Sequence, residues 1–260
     1  MTLYVGTSGW LYPHWEGRFY PAERPAVDHL AYYARRFQAV EVNATFYRLP
    51  QAETFADWAN RTPDDFVFAL KASRYLTHLR RLRDPDEPVR RLMGRASRLG
   101  AKLGPILLQL PPDMECNAAL LRATLTAFGP GVRVAVEFRN ESWFTGAIEQ
   151  LLTVAGAALC FADRGSRMVT PEWRTAGWGY IRFHEGAGES WPSYEHSVLD
   201  ERARLVARLW GPGADVFAFF NNDASGCALR DATLFASVAG AYGLHPTRVP
   251  PEAAMHSADP

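Results

Sequence analysis

The residues of this chain that could do chemistry recur at alternate positions of short apolar runs. Glu41 and Asn43 alternate with Val40 and Val42, and Lys71 follows Phe68 and Leu70. Gln109 lies between Leu108 and Leu110, Glu137 and Arg139 flank Phe138, and Arg182 and His184 flank Phe183. Residues two apart on a strand share a face, so each run sets an apolar side against a side that turns polar toward its C-terminal end. Glu41 and Glu137 could then face each other as general acid and base, or as nucleophile and acid in glycosidic cleavage. Lys71 among apolar neighbours suits Schiff-base chemistry if desolvation lowers its pKa, or it pairs with Glu41 or holds an anion. Lys71, Arg139 and Arg182 together could clamp a phosphate or carboxylate. Glu41, Glu137, Asp163 and His184 could instead hold a divalent metal, but the neighbouring arginines compete for those carboxylates, so no metal and no other cofactor is expected. Beside these readings stands a structural one, in which Glu41 pairs with Lys71 and Glu137 with Arg139 as buried salt bridges.

Eight such runs must position these side chains: Leu3–Ser8, Ala39–Thr45, Phe66–Ser73, Gly104–Pro111, Arg133–Asn140, Ala157–Asp163, Trp178–His184 and Asp215–Asp223. They are rich in Val, Ile and Phe and bounded by Gly, Pro, Asn or Asp, as buried parallel strands are. Between them lie stripes of helical period, such as Val27, Leu30, Ala31, Ala34 and Phe37 after Pro25. Asn117 is placed to cap a helix carrying Leu120, Leu121, Leu125 and Phe128, stopped by Gly129-Pro130, and Leu234, Val238 and Tyr242 end at Gly243. The segment 164–176 has little periodicity. Eight strands alternating with helices predict an α/β fold, a single parallel eight-stranded (β/α)8 barrel of the TIM type over residues 1–245, with a flexible tail over 246–260. The length of 260 residues suits the roughly 250 typical of one such barrel. In that fold the polar set gathers at the C-terminal rim, where barrel enzymes carry their catalytic residues.

Lys plus Arg and Asp plus Glu number 28 each, so no overall field draws a polyanion, and nucleic acid is not indicated as a partner. Three cysteines without CxxC spacing argue against a disulfide framework or zinc ribbon. Neither a signal-peptide pattern nor a membrane-length apolar run is visible, which predicts a cytoplasmic protein with no membrane partner. Trp10, Tyr12, Trp15, Phe19, Tyr20, Phe46, Tyr47, Trp143, Phe144, Trp191 and Tyr194 fall on the rim loops. Of these, Trp10, Tyr47 and Trp143 are candidates to stack on a sugar ring or nucleobase; the alternative is that such rings plug the space between helices. Arg80, Arg81 and Arg83 form a basic run that could touch an extended anionic ligand.

These residues also carry a resemblance. The segments GTSGWLYPHWEGRFYP (6–21), FQAVEVNATFYRLP (37–50), FVFALKASRYLTH (66–78), LGPILLQLPP (103–112), VEFRNESW (136–143), YIRFHEG (180–186) and FNNDASGCA (220–228) are similar, in order, to the YecE-like family, domain of unknown function 72. The resemblance implies a barrel and no established reaction. It points to Glu41, Asn43, Lys71, His78, Gln109, Glu137, Arg139, Arg182, His184 and Asn221. The chain departs from the family pattern where Glu185 separates His184 from Gly186, and at Asp223.

The expectation is an enzyme, a hydrolase or an isomerase or lyase, acting on a polar, anionic, sugar- or nucleotide-like small molecule. Glu41 and Glu137 would supply acid–base catalysis with His184 and Lys71, and Asn43, Gln109, Arg139, Arg182 and Asn221 would bind the substrate. The alternatives are a barrel that binds nucleic acid or nucleotides without turnover, and a metal-dependent phosphoesterase.

Overall fold

The computed structural model describes residues 1–189 and 191–251. Its strands are β1 (Thr2–Thr7), β2 (Ala39–Val42), β3 (Val67–Lys71), β4 (Leu103–Gln109), β5 (Val134–Glu137), β6 (Ala158–Arg164), β7 (Arg167–Met168), β8 (Gly179–Phe183), β9 (Asp215–Phe220) and β10 (His245–Pro246). β1 to β6, β8 and β9 pair in parallel in that order, and β9 returns to β1 with Thr2 opposite Asp215 through Thr7 opposite Phe220. The sheet therefore closes into an eight-stranded barrel. Helices α1 (His29–Ala34), α2 (Ala44–Tyr47), α3 (Ala52–Asn60), α4 (Asp86–Ala96), α5 (Ala118–Phe128), α6 (Gly146–Ala155), α7 (His196–Leu209) and α8 (Cys227–Gly240) surround it.

Side-chain alternation divides the core as the strand pattern requires. Val40, Val42, Phe68, Leu70, Ile106, Leu108, Val134, Val136, Ile181 and Phe183 belong to the large cluster between sheet and helices. Ala39, Ala69, Leu107, Ala135, Ala158, Cys160, Tyr180, Phe217 and Phe219 form a second cluster inside the barrel. Alanines on β2, β3, β5 and β6 leave room that the rings on β8 and β9 fill, and Tyr4 stacks on Phe217 at 4.7 Å. Above this apolar floor the inward side chains become charged.

Several local features differ from the sequence pattern. β2 stops at Val42, because residues 44–47 turn into α2. The Thr45 hydroxyl donates to both Val42 O (2.8 Å) and Lys71 O (2.7 Å), tying the ends of β2 and β3 together. Val27 is 63% exposed rather than part of a buried stripe, because only a 3₁₀ turn precedes the short α1. No helix joins β6 to β8. Gly165 and Ser166, both at positive φ, make a two-residue hairpin into β7. Thr175 then bonds Ala157 O and Leu159 N along the barrel wall. Asn117 does cap α5, accepting from the Leu120 N–H at 3.0 Å. The expected tail begins with anchored residues: Pro246 pairs with Leu3, the Thr247 N–H donates to Leu3 O, and Arg248 meets Asp65. Residues 252–260 of that tail lie outside the described residues. No helix of the described residues is long and apolar enough to cross a membrane.

Candidate functional site

Closure of the barrel brings β2, β5 and β8 around one guanidinium. Arg182, 1% exposed, donates through Nε and Nη2 to Glu41 (2.9 and 2.8 Å) and through Nη1 to Glu137 Oε2 (2.7 Å). Tyr180 OH donates to Glu41 Oε2 at 2.7 Å. Glu137 Oε1 accepts from Gln109 Nε2 and Arg139 Nε, both at 2.9 Å, and lies 3.0 Å from His184 Nε2. Burial alone would raise the pKa of both carboxyls. For Glu41 the charge and hydrogen bonds of Arg182 outweigh it; for Glu137 the charges of Arg182, His184 and Arg139 do so by a wide margin. Both are held as carboxylates with their lone pairs occupied. The arrangement expected for glycosidic cleavage, two carboxylates facing across open space, is therefore not what β2 and β5 build, since Arg182 stands between them.

His184 is held from both sides of its ring. Asn43 Nδ2 points to Asn221 Oδ1 (3.4 Å), Asn221 Nδ2 lies 3.4 Å from His184 Nδ1, and His184 Nε2 lies 3.0 Å from Glu137 Oε1 and 3.3 Å from Arg182 Nη1. Asp163 fixes the backbone here, accepting from the His184 N–H (2.9 Å) and from Tyr194 OH. Burial raises its pKa despite those donors.

Lys71 differs from its neighbours. It is 8% exposed, its Nζ sits 4.2 Å from the centre of the Phe46 ring, and no carboxylate of the described residues comes within 4.0 Å. The expected pairing with Glu41 is absent because Arg182 occupies that carboxylate. Desolvation first, then the charge of Arg182, lowers the Lys71 pKa from 10.5 to about 8. Glu41 and Glu137 are balanced by Arg182 and Arg139, so a protonated Lys71 is a surplus cation. Beside this cluster opens a cavity of about 440 Å³ whose lining includes Glu137, Arg139, Asp163, His184 and Asn221. Among the described residues no three His, Cys, Asp or Glu side chains stand together as a metal-binding group.

Rim aromatics separate into two kinds. Trp143 is fully buried, stacks on Phe138 at 4.8 Å and donates to Met114 O at 2.7 Å, so it anchors a loop and does not face the cavity. Trp143→Ala is expected to cost about 3–5 kcal/mol of stability in denaturant titration. The reactivity of Lys71 should stay unchanged, and a large change there would place Trp143 in the site after all. Trp10 is 7% exposed and meets Trp58 edge-on, whereas Tyr47 is 79% exposed. His78 lies behind Phe46, edge-on to its ring. Arg80 pairs with Asp84 and Arg81 with Asp113, so these two present neutralised charge at the surface. Asn222 and Asp223 turn away, toward Asp231 and Trp15 respectively. Tyr180 and Phe46 complete the cluster. Tyr180 was legible as an inward position two before Arg182, whereas Phe46 depended on the unexpected turn of α2.

A family model described as "Protein of unknown function DUF72" matches residues 4–255. The chain is 27% identical to the UPF0759 protein YunF of Bacillus subtilis over 87% of its own length and 90% of that protein's. It is 36% identical to the UPF0759 protein YecE of Escherichia coli over 42% of its own length, a match spanning only 38% of YecE. The crystal structure of a DUF72 family protein of Thermotoga maritima superposes with a TM-score of 0.78 at 25% identity, covering 91% of this chain and 98% of that one.

Proposed function

Because the chain belongs to the DUF72 family of proteins of unknown function, we propose a function from the mouth itself: an enzyme that binds a polar, anionic, sugar- or nucleotide-like small molecule and moves a proton on it, with Lys71 as the base. The observation that carries this reading is the Lys71 amine, buried at the rim without a carboxylate partner while both glutamates are committed to Arg182. A general base works best with a pKa near the ambient pH, and burial brings this amine to about 8. The proton taken from a substrate C–H or O–H leaves Lys71 as an ammonium beside the anionic group. The Arg139 guanidinium, bonded to Glu137 through Nε, offers its Nη donors to that group and to charge that develops on it. Glu41, Glu137 and Gln109 act as positioning residues, holding Arg182, Arg139 and His184 in place.

Acylation of the protein across pH, read by peptide mass spectrometry, tests this. Lys71 is expected to label half-maximally near pH 8, and a panel of sugar phosphates and sugar carboxylates should contain compounds that protect it. Those compounds are expected to exchange a carbon-bound hydrogen for deuterium in heavy water with the parent protein, and not with Lys71→Met. Labelling only above about pH 10, the ordinary lysine range, or protection by no anion in the panel, overturns the proposal.

A further inference from the structure

A second cavity, of about 370 Å³, lies beside the mouth at the outer side of the β1 and β2 ends. Its character is the opposite of the first. Trp10, Tyr12 and Trp58 face it, with Leu11 and Val27 at its lip, 58% and 63% exposed. Most large rings of this protein are buried, so an aromatic recess with exposed aliphatic lips is not simple core packing. The two cavities are linked by one pair of amides: Asn43 lines the apolar one, Asn221 lines the polar one, and they stand 3.4 Å apart. Asn43 Nδ2 donates to Ser8 O at 3.0 Å, while its Oδ1 is buried with no donor. A buried acceptor without a partner is costly, and a ligand N–H in the recess would satisfy it once the Asn43 amide turns toward the cavity it lines.

We infer that the substrate has two parts: an anionic sugar portion in the polar mouth, and a nucleobase seated among Trp10, Tyr12 and Trp58 with an N–H donated to Asn43 Oδ1. This rests on the proposed anion-binding mouth and selects, of its two substrate classes, the nucleotide. Bases present a flat π face for stacking and ring or exocyclic N–H groups at the edge, which is the combination that this recess complements. A sugar phosphate alone would leave the recess filled with water against apolar walls.

The test compares ribose 5-phosphate with nucleoside 5′-monophosphates for protection of Lys71 from acylation. At least one nucleotide is expected to protect at a concentration ten or more times lower than ribose 5-phosphate. Ala26, exposed at the edge of the recess, gives the discriminating variant. In Ala26→Phe the new ring would occupy the recess, and the nucleotide's advantage is expected to vanish, leaving it level with ribose 5-phosphate. If ribose 5-phosphate protects and no nucleotide improves on it, the two-part reading is wrong while the anion-binding mouth stands. An advantage that persists in Ala26→Phe also overturns it, because the base would then sit elsewhere. Protection by neither compound class removes the mouth reading and this inference together.

Discussion

Replacing Arg182 by Met is expected to destabilise the protein by about 3–5 kcal/mol at neutral pH, the cost of removing one partner from a buried ion pair. The geometry says where that cost falls. Glu137 would keep Gln109, Arg139 and His184, but Glu41 would be left with no cation and only neutral donors such as the Tyr180 hydroxyl. The pH dependence should change sign. In the parent, both folded-state carboxyl pKa values lie below the ordinary 4.5, so their contribution is present above that value and lost as pH falls through the folded values. Without Arg182, desolvation raises the pKa of Glu41 instead. The unfolded chain then ionises more readily than the folded one, and the deficit should shrink as the solution is acidified toward about pH 5. Chemical denaturation across pH measures both effects. Adding Glu41→Gln to Arg182→Met should recover more than half of the loss, since the stranded charge is gone. A deficit under about 1 kcal/mol, or one that does not vary with pH, would show that the triad is solvated rather than buried.

Lys71→Met should do the reverse: lose the proposed function and gain stability. A Lys pKa held at about 8 instead of 10.5 means that the folded protein disfavours the ammonium relative to the unfolded chain, by about 3 kcal/mol below pH 8. As pH rises from about 8 to 10.5 the unfolded chain carries the extra proton, so the parent gains stability across that window. The variant lacks this contribution, and its advantage should be full at pH 7 and fade by about pH 10. The difference between the two denaturation curves isolates the effect from other titrating groups. The unbranched thioether of Met fits the space beneath Phe46 with little repacking. A site that sacrifices stability for an unpaired amine is expected where the amine has work to do. A variant no more stable than the parent at pH 7 would mean that Lys71 finds compensation in solvent.

How much of this was legible beforehand follows from what is local. Alternation along a strand is a property of neighbouring residues, so Glu41, Lys71, Gln109, Glu137 and Arg182 could be assigned to the inner face from the sequence. Which cation meets which carboxylate is not local. Glu137 does meet Arg139, two residues away, but Glu41 is taken by Arg182 from a strand 141 positions later, which leaves Lys71 alone. Helix and loop content failed where side chains replaced backbone pairing. The Thr45 hydroxyl ties the early end of β2 to β3, and Thr175 bonds an irregular segment to Ala157 and Leu159 where a helix would ordinarily lie. The sequence leaves Trp143 between two roles, because loop aromatics that stack on ligands and those that plug gaps have the same composition. Only burial and the Met114 carbonyl distinguish this one.

The long reach of Arg182 has a consequence for how the chain assembles. During synthesis, at roughly 5–20 residues per second, Glu41 and Lys71 leave the ribosome about 6–28 seconds before the arginine that neutralises Glu41. A half-built barrel would have to bury two carboxylates around an empty axis, which disfavours early collapse on the N-terminal strands. The last seam, β1 against β9, then joins residues more than two hundred positions apart, a contact order that slows the final step and favours closure as one cooperative event.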